Sequence, residues 1–263
     1  SGMPLAQSPG RLWQGSRRAF PRLRGYAGSH CTVSVALLVA YCAAHTCVQS
    51  DAFVGRLVPS TVRRPLRTAA RCMPVQVLVP IAQDSEEIET ACITDVLTRA
   101  GAEVTVASVE HDLQVRMSRG LKIVADTSID CCATREWSAI VCPGGMPGAE
   151  RLGRCHTLIQ LLQKQRRKGG IIAAVCAAPA VIFAEHKFLE RDDKATCYPA
   201  PKFKNALDAA CAGRWDAPVV VDGKVITSQG PGTSLQFALK IVEALYDKAK
   251  AEEIAAMMIT KTA

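Results

Sequence analysis

From residue 75 onward, short apolar runs alternate with stretches of helical spacing. Residues 75–80, 103–109, 137–143 and 170–175 are runs rich in Val, Ile and Ala, as buried strands require when both faces are covered. Residues 86–100 and 155–168 carry polar positions among apolar ones and predict helices. Asp84 and Glu87 have capping-box spacing, which predicts a helix start near Ser85. Further on, the chain predicts a helix over 177–185 and an extended piece near 195–198. Strands at 219–221 and 224–228 follow, joined through an Asp222-Gly223 turn. A long helix is predicted from Thr233, with helix carried over 244–258. Strands alternating with helices predict a doubly wound α/β fold, a mostly parallel sheet flanked by helices. In such sheets ligands bind at the carboxyl ends of strands, and three segments leave strand ends here: 83–89, 143–148 and the turn at Cys176.

Cys176 follows the apolar run 170–175 and precedes Ala177-Ala178-Pro179, so it sits where a strand turns sharply into a helix. Such an elbow tolerates only small side chains two positions either side of the nucleophile, and these are Ala174 and Ala178. A thiol there faces the positive end of the following helix, which favours thiolate. Glu89 lies one turn into the first helix, displaced from an apolar stripe of Ile88, Cys92 and Val96, and is placed to point across the strand ends.

Charge narrows the function classes. The formal +8 is unevenly spread: residues 1–72 hold ten arginines and one acid, net +9, whereas residues 73–263 hold 22 basic and 23 acidic residues, net −1. The basicity belongs to a leader, which argues against nucleic-acid binding by the core. The cluster Lys164, Arg166, Arg167 and Lys168 reads as the solvated last turn of a helix. Eight of the 12 cysteines lie in residues 73–263 with no Cys-x-x-Cys pair and no histidine spaced to complete a zinc site, so no metal is expected. Free thiols in a reducing compartment fit this pattern, and adjacent Cys131 and Cys132 read as packing or surface thiols.

Within the leader, Ser1-Gly2 resembles a cloning scar, and the Arg-rich residues 11–24 followed by the apolar residues 33–44 resemble a signal peptide's n-region and h-region, the apolar stretch being too short for a membrane span. Residues 53–71 have five arginines and no acid, as in a transit peptide. Met73, directly before the first strand, offers a second starting point. The expected organisation is a disordered leader over 1–72 and a single α/β domain over 73–263. The core is expected in the cytoplasm if it begins at Met73, or in an organelle if the leader directs it there.

Four segments in order carry a family resemblance: EEIET at 86–90, VCPGG at 141–145, AVCAAP at 174–179 and TSQGPGTS at 227–234. Across about two-thirds of its length, residues 73–249, the chain resembles the ThiJ/PfpI superfamily, and within it the Parkinson-disease-protein branch of small redox-active, deglycase-like proteins. The resemblance implies a flavodoxin-like, class I glutamine-amidotransferase-like fold, a reactive Cys176 and a partner carboxyl at Glu89. It also implies an oxyanion and substrate pocket from Gly144, Gly145 and Ala177 with Tyr198 and Arg119, and a homodimer with each site near the subunit interface. Gly230-Pro231-Gly232 matches the turn that opens the long helix.

A carboxylate beside a thiolate is a like-charge pair, so one proton is expected to be shared, with the carboxyl neutral and donating to sulfur. The implied activity is glyoxalase or protein deglycase chemistry on 2-oxoaldehydes such as methylglyoxal, free or as adducts on a glycated protein. It needs neither metal, cofactor nor glutathione. The alternative is a non-enzymatic oxidative-stress sensor or chaperone that acts on a regulatory protein partner through oxidation of Cys176. Tyr198 stands where one family version has histidine; a phenol can hydrogen-bond a substrate oxygen but is a poor general base. Ala177 stands where PfpI-type proteases carry histidine, and no histidine follows His186, so protease and amidotransferase activities are disfavoured. His156 and His186 read as surface or capping residues.

Overall fold

In the computed structural model, which describes residues 74–213 and 217–262, seven strands form one sheet. The readings made for residues 1–72 lie outside the described residues. The strands are β1 (Gln76–Ile81), β2 (Glu103–Ser108), β5 (Thr127–Ser128), β6 (Ala139–Cys142), β7 (Ile171–Val175), β10 (Val219–Asp222) and β11 (Val225–Ser228). Their spatial order is β10-β11-β7-β6-β1-β2-β5, parallel throughout except for β10, which runs antiparallel to β11. Two small sheets lie apart: the antiparallel pair β3 (Gln114–Arg116) and β4 (Lys122–Val124), and the parallel pair β8 (Lys194–Ala195) and β9 (Ala212–Gly213). The doubly wound α/β class expected from the sequence is what the chain adopts.

Apolar residues of the central strands fill both faces, because alternate side chains of a strand point to opposite sides. Leu78, Ile140, Ile172 and Ala174 pack into one core with Leu152, Leu158 and Leu162. Val77, Val79, Val141 and Val175 pack into the other with Ile93, Val96, Leu97, Phe237 and Ile241. The helices supplying these layers are α1 (Glu87–Arg99), α2 (Gly148–Arg154), α3 (His156–Arg167), α4 (Pro201–Ala210), α5 (Ser234–Leu245) and α6 (Lys248–Met257). No helix among the described residues is long and apolar enough to cross a membrane.

Several expectations need correction. Helix α1 is capped by Glu86, whose carboxylate accepts the Glu89 N–H at 2.8 Å, so the capping pair is Glu86 with Glu89 and not Asp84 with Glu87. The buried face of α1 is also not the Ile88, Cys92, Val96 stripe. Ile88 is 54 % exposed, and the face against the sheet is Glu89, Ile93, Val96 and Leu97. A pattern that assigns carboxylates to solvent rotates this helix away from its true contact face.

The segment after Cys176 is not an α-helix but a six-residue π-helix, Pro179–Ala184. The tight turn joining β10 and β11 is Gly223-Lys224, because Asp222 still pairs with Val225. The extended piece expected at 195–198 is shorter and earlier, at β8. The C-terminal helix is interrupted: Tyr246 leaves the helical conformation, and Asp247 caps a new helix by accepting the Lys250 N–H at 2.8 Å. Helices α2 and α4 and the β3–β4 hairpin were not anticipated. The basic cluster at 164–168 does end α3, where Lys164 and Lys168 both pair with Glu136 and Arg166 pairs with Asp193.

Candidate active site

Strands β1, β6 and β7 end side by side, and the chain leaves each of them into the same crevice. From β7 comes Cys176, which adopts φ +63°, in the left-handed region where a non-glycine residue is strained. Two hydrogen bonds hold it there: its N–H donates to the Ser228 carbonyl at 3.0 Å, and its carbonyl accepts the Tyr198 N–H at 2.7 Å. Ala174 and Ala178, the small residues that the elbow requires, are both fully buried.

From β6 comes the Gly144-Gly145 pair, which approaches both neighbours closely. A Cβ on Gly144 would lie 2.6 Å from the Cys176 Cβ, 2.9 Å from the Val175 carbonyl and 3.0 Å from Glu89 Oε2. Gly145 has φ +87°, and a Cβ there would lie 2.5 Å from the Asp84 carbonyl. The crevice therefore closes around sulfur only because this position of the 141–145 motif has no side chain.

Helix α1, which follows β1, contributes Glu89, fully buried. Its Oε2 accepts the Gly144 N–H at 2.7 Å. Oε1 is buried without a hydrogen bond of ordinary geometry, and the side chain this carboxyl interacts with is Cys176. Burial raises the Glu89 carboxyl to about 7, against the pull of the Gly144 N–H. Burial and then the charge of Glu89 push the Cys176 thiol up to about 12, against the opposing pull of the N–H groups of Gly145 and Ala177.

The expectation of a thiol lowered by the following helix is thus not met while Glu89 is ionised. The segment after Cys176 is a short π-helix, and desolvation outweighs it. The charge of Glu89 is one of the causes that raise the thiol, so that contribution disappears when Glu89 is protonated.

A cavity of about 400 Å³ opens above the sulfur, lined by Cys176, Ala177, Gly145, Met146, Tyr198, Phe203, Pro231, Glu86, Ser118 and Arg119. Cys176, Gly145, Ala177, Tyr198 and Arg119 are therefore brought together at one opening, with Glu89 beneath it. Gly144 is close by, but its N–H is directed to Glu89 and is not free for a substrate oxygen. Tyr198 is 44 % exposed and meets the Phe203 ring edge-on at 6.4 Å. Phe203, on the unanticipated α4, had no sequence signal beyond the Pro201 that opens that helix. No histidine is among the described residues lining this cavity, and none of the described His, Cys, Asp and Glu residues group to hold a metal ion.

The elevated carboxyl predicts a pH dependence. Between pH 4.5 and about 7 the folded chain keeps a proton on Glu89 that the unfolded chain has lost, so Glu89 makes stability fall as pH rises through that window. The expected loss is about 3 kcal/mol, complete above pH 7. Chemical denaturation of the wild type and Glu89→Gln should show the difference between them growing across this range. A constant difference would contradict the assignment.

Residues 75–244 match the DJ-1/PfpI family. The chain is 42 % identical over 186 residues to protein DJ-1 homolog B of Arabidopsis thaliana, covering 71 % of this chain and 42 % of that protein. It thus spans less than half the length of the Arabidopsis relatives it matches. It is 40 % identical over 183 residues to protein dj-1beta of Drosophila melanogaster, covering 70 % of this chain and 96 % of that one. A Caenorhabditis elegans protein named glutathione-independent glyoxalase DJR-1.2 is 38 % identical over 169 residues, 64 % of this chain and 87 % of its own length. Among solved structures, oxidized Toxoplasma gondii DJ-1 superposes with a TM-score of 0.67 at 45 % identity, over 71 % of this chain and 98 % of that one. With the sheet order, the elbow at Cys176 and the match over residues 75–244 in agreement, the chain belongs to the DJ-1/PfpI family.

Proposed function

We propose that this chain converts 2-oxoaldehydes such as methylglyoxal to 2-hydroxy acids without glutathione, using Cys176 as nucleophile and Glu89 as its proton partner. The observation that carries this reading is the fully buried Glu89 carboxyl, raised to about 7 and set against the Cys176 sulfur. With the shared proton on Glu89, sulfur is anionic and adds to the aldehyde carbon. The new S–C bond forms as the carbonyl π electrons move to oxygen. That oxygen accepts hydrogen bonds from the N–H groups of Gly145 and Ala177, and the opposing pull of those N–H groups on the thiol supports this reading.

Glu89 gives its proton to that oxygen, and the carboxylate so formed takes the proton from the former aldehyde carbon and returns it to the neighbouring carbon while the hydroxyl proton passes between the two oxygens, leaving a thioester. Water finally displaces sulfur as the acid is released. The same thiolate would act on aldehyde adducts of a glycated protein. The name of the Caenorhabditis relative supports the glyoxalase reading. The absence of histidine among the described cavity residues argues against proteolysis. Ile88, Leu121 and Met146 are large apolar side chains left exposed, with Met146 at the cavity, and a second copy of the chain covering them would form the homodimer.

A second reading uses the same sulfur as an oxidation sensor. Two peroxide molecules would take the thiolate through sulfenate to sulfinate, each reduced to water, and a protonated Glu89 would donate to a sulfinate oxygen. The accessible cavity above a partly exposed Cys176 and the oxidized state of the Toxoplasma relative favour it. Lactate formed per chain from methylglyoxal, with the intact mass followed in parallel, separates the two. Many turnovers with an unmodified mass support catalysis. At most one equivalent of product, with mass gained only under peroxide, supports sensing and rejects the catalytic reading.

A further inference from the structure

One buried carboxylate beside the site has no part in the chemistry above. Glu87 opens α1, is only 9 % exposed, and accepts hydrogen bonds from the Ser118 hydroxyl at 2.8 Å and the Arg119 N–H at 2.7 Å. Burial alone raises this carboxyl, but the N–H of Glu87 itself, the Ser118 hydroxyl and the N–H groups of Arg119 and Leu121 together hold it below its usual range. The contact is long-range: residues 117–121 form the turn between β3 and β4, 31 positions from Glu87 to Ser118. The Ser118 N–H adds a third tie, to the Ser85 carbonyl at 2.9 Å.

This turn carries Arg119, the only cation among the described residues lining the cavity. The remaining walls near sulfur are Met146, Phe203, Pro231 and the Tyr198 phenol, and the Arg119 guanidinium, one of whose N–H groups donates to the Ser118 carbonyl at 3.2 Å, keeps its other N–H groups for a small ligand entering there. Glu86, the acid of this lining, is already engaged as the cap of α1. A guanidinium on a tethered turn recognises a carboxylate, which it can meet with two parallel N–H groups.

We propose that Glu87 is a positioning residue that fixes the 117–121 turn, so that Arg119 selects electrophiles bearing a carboxylate next to the carbon attacked by Cys176. The proposal deepens the reading of Cys176 as the nucleophile, and it gives Arg119 its role through Glu87 rather than through any contact of its own side chain with the sulfur.

Iodoacetate and iodoacetamide test it, because they share shape and leaving group and differ in one negative charge. In both, sulfur forms a bond to the methylene carbon as the C–I bond breaks, iodide leaves with the bonding pair, and the thiol proton passes to solvent. Alkylation rates at Cys176 are read by peptide mass spectrometry in the full chain, with exposed Cys131 as an internal standard. The acetate-to-acetamide ratio at Cys176, normalised to Cys131, should fall roughly three- to tenfold in Arg119→Gln, as expected for removal of one charge at a partly solvated site.

Arg119→Lys should retain most of the preference. Glu87→Gln should lower the ratio like Arg119→Gln while leaving the iodoacetamide rate unchanged; a merely structural role would alter both reagents equally. Should Glu87→Gln fail to fold, Ser118→Ala removes one tie and should give an intermediate ratio. An unchanged ratio in Arg119→Gln, or in both turn variants, overturns the proposal. These ratios need no aldehyde turnover, so failure of the glyoxalase reading leaves them unaffected and is recognised separately.

Discussion

Cys176→Ser is expected to lower kcat/KM for methylglyoxal by at least about a thousandfold, equivalent to roughly 4 kcal/mol of lost transition-state stabilisation. The hydroxyl of serine does not ionise at the pH where the Glu89 pair exchanges its proton, and a neutral hydroxyl is a poor nucleophile without an adjacent strong base. Glu89 cannot supply that base, since its carboxyl near 7 lies far below an alcohol. The replacement is nearly isosteric, and the backbone bonds from Cys176 to Ser228 and from Tyr198 to Cys176 do not involve the side chain. Thermal stability should therefore stay close to that of the wild type. Lactate formation measured against enzyme concentration, with a melting curve for each protein, decides the point. Activity within tenfold of the wild type would remove Cys176 from the mechanism.

Gly144→Ala should damage both fold and site. The added methyl meets the Cys176 Cβ at 2.6 Å and the Val175 carbonyl at 2.9 Å, and neither is the end of a flexible side chain. Overpacking of this kind costs about 1–3 kcal/mol, a fall in Tm of roughly 3–10 °C for a domain of this size. The larger effect is on chemistry. Relief of the clash moves Cys176 away from Gly145 or turns Glu89 away from the Gly144 N–H, and a displacement near 1 Å at a reacting group costs on the order of a hundredfold in rate. Turnover and the iodoacetamide rate at Cys176 should fall together. A variant that keeps full turnover would show that the close approach at Gly144 is dispensable.

Much of this architecture is legible in the chain because both faces of the sheet are buried. Continuous apolar runs such as Ile171–Val175 can then mean little else than central strands, and the small residues around Cys176 mark the elbow. The strands β3 and β4 are three residues each, too short for alternation to stand out. Helix α2, seven residues with two glycines, carries no clear apolar stripe. The register of α1 is hidden for a more instructive reason: Glu87 and Glu89 both face inward, where periodicity expects apolar side chains. A carboxylate on the buried face of an otherwise ordinary helix is itself the sign of a site, visible only once that face is known.

The sequence alone determined the central strands, the helices α1, α3 and α5, the sharp turn at Cys176 and the family motifs, because these depend on local side-chain size and on apolar periodicity. Only the tertiary structure decided which carboxylates are buried and what each of them meets. Glu89 meets Gly144 across 55 positions and Glu87 meets Ser118 across 31, and the two acids, two residues apart in one helix, are driven in opposite directions. Glu89 is buried with one N–H donor and rises, whereas Glu87 is buried with several donors and falls. Desolvation and hydrogen bonding are set by what packs around a group, and that is a property of the folded chain rather than of its neighbours in sequence.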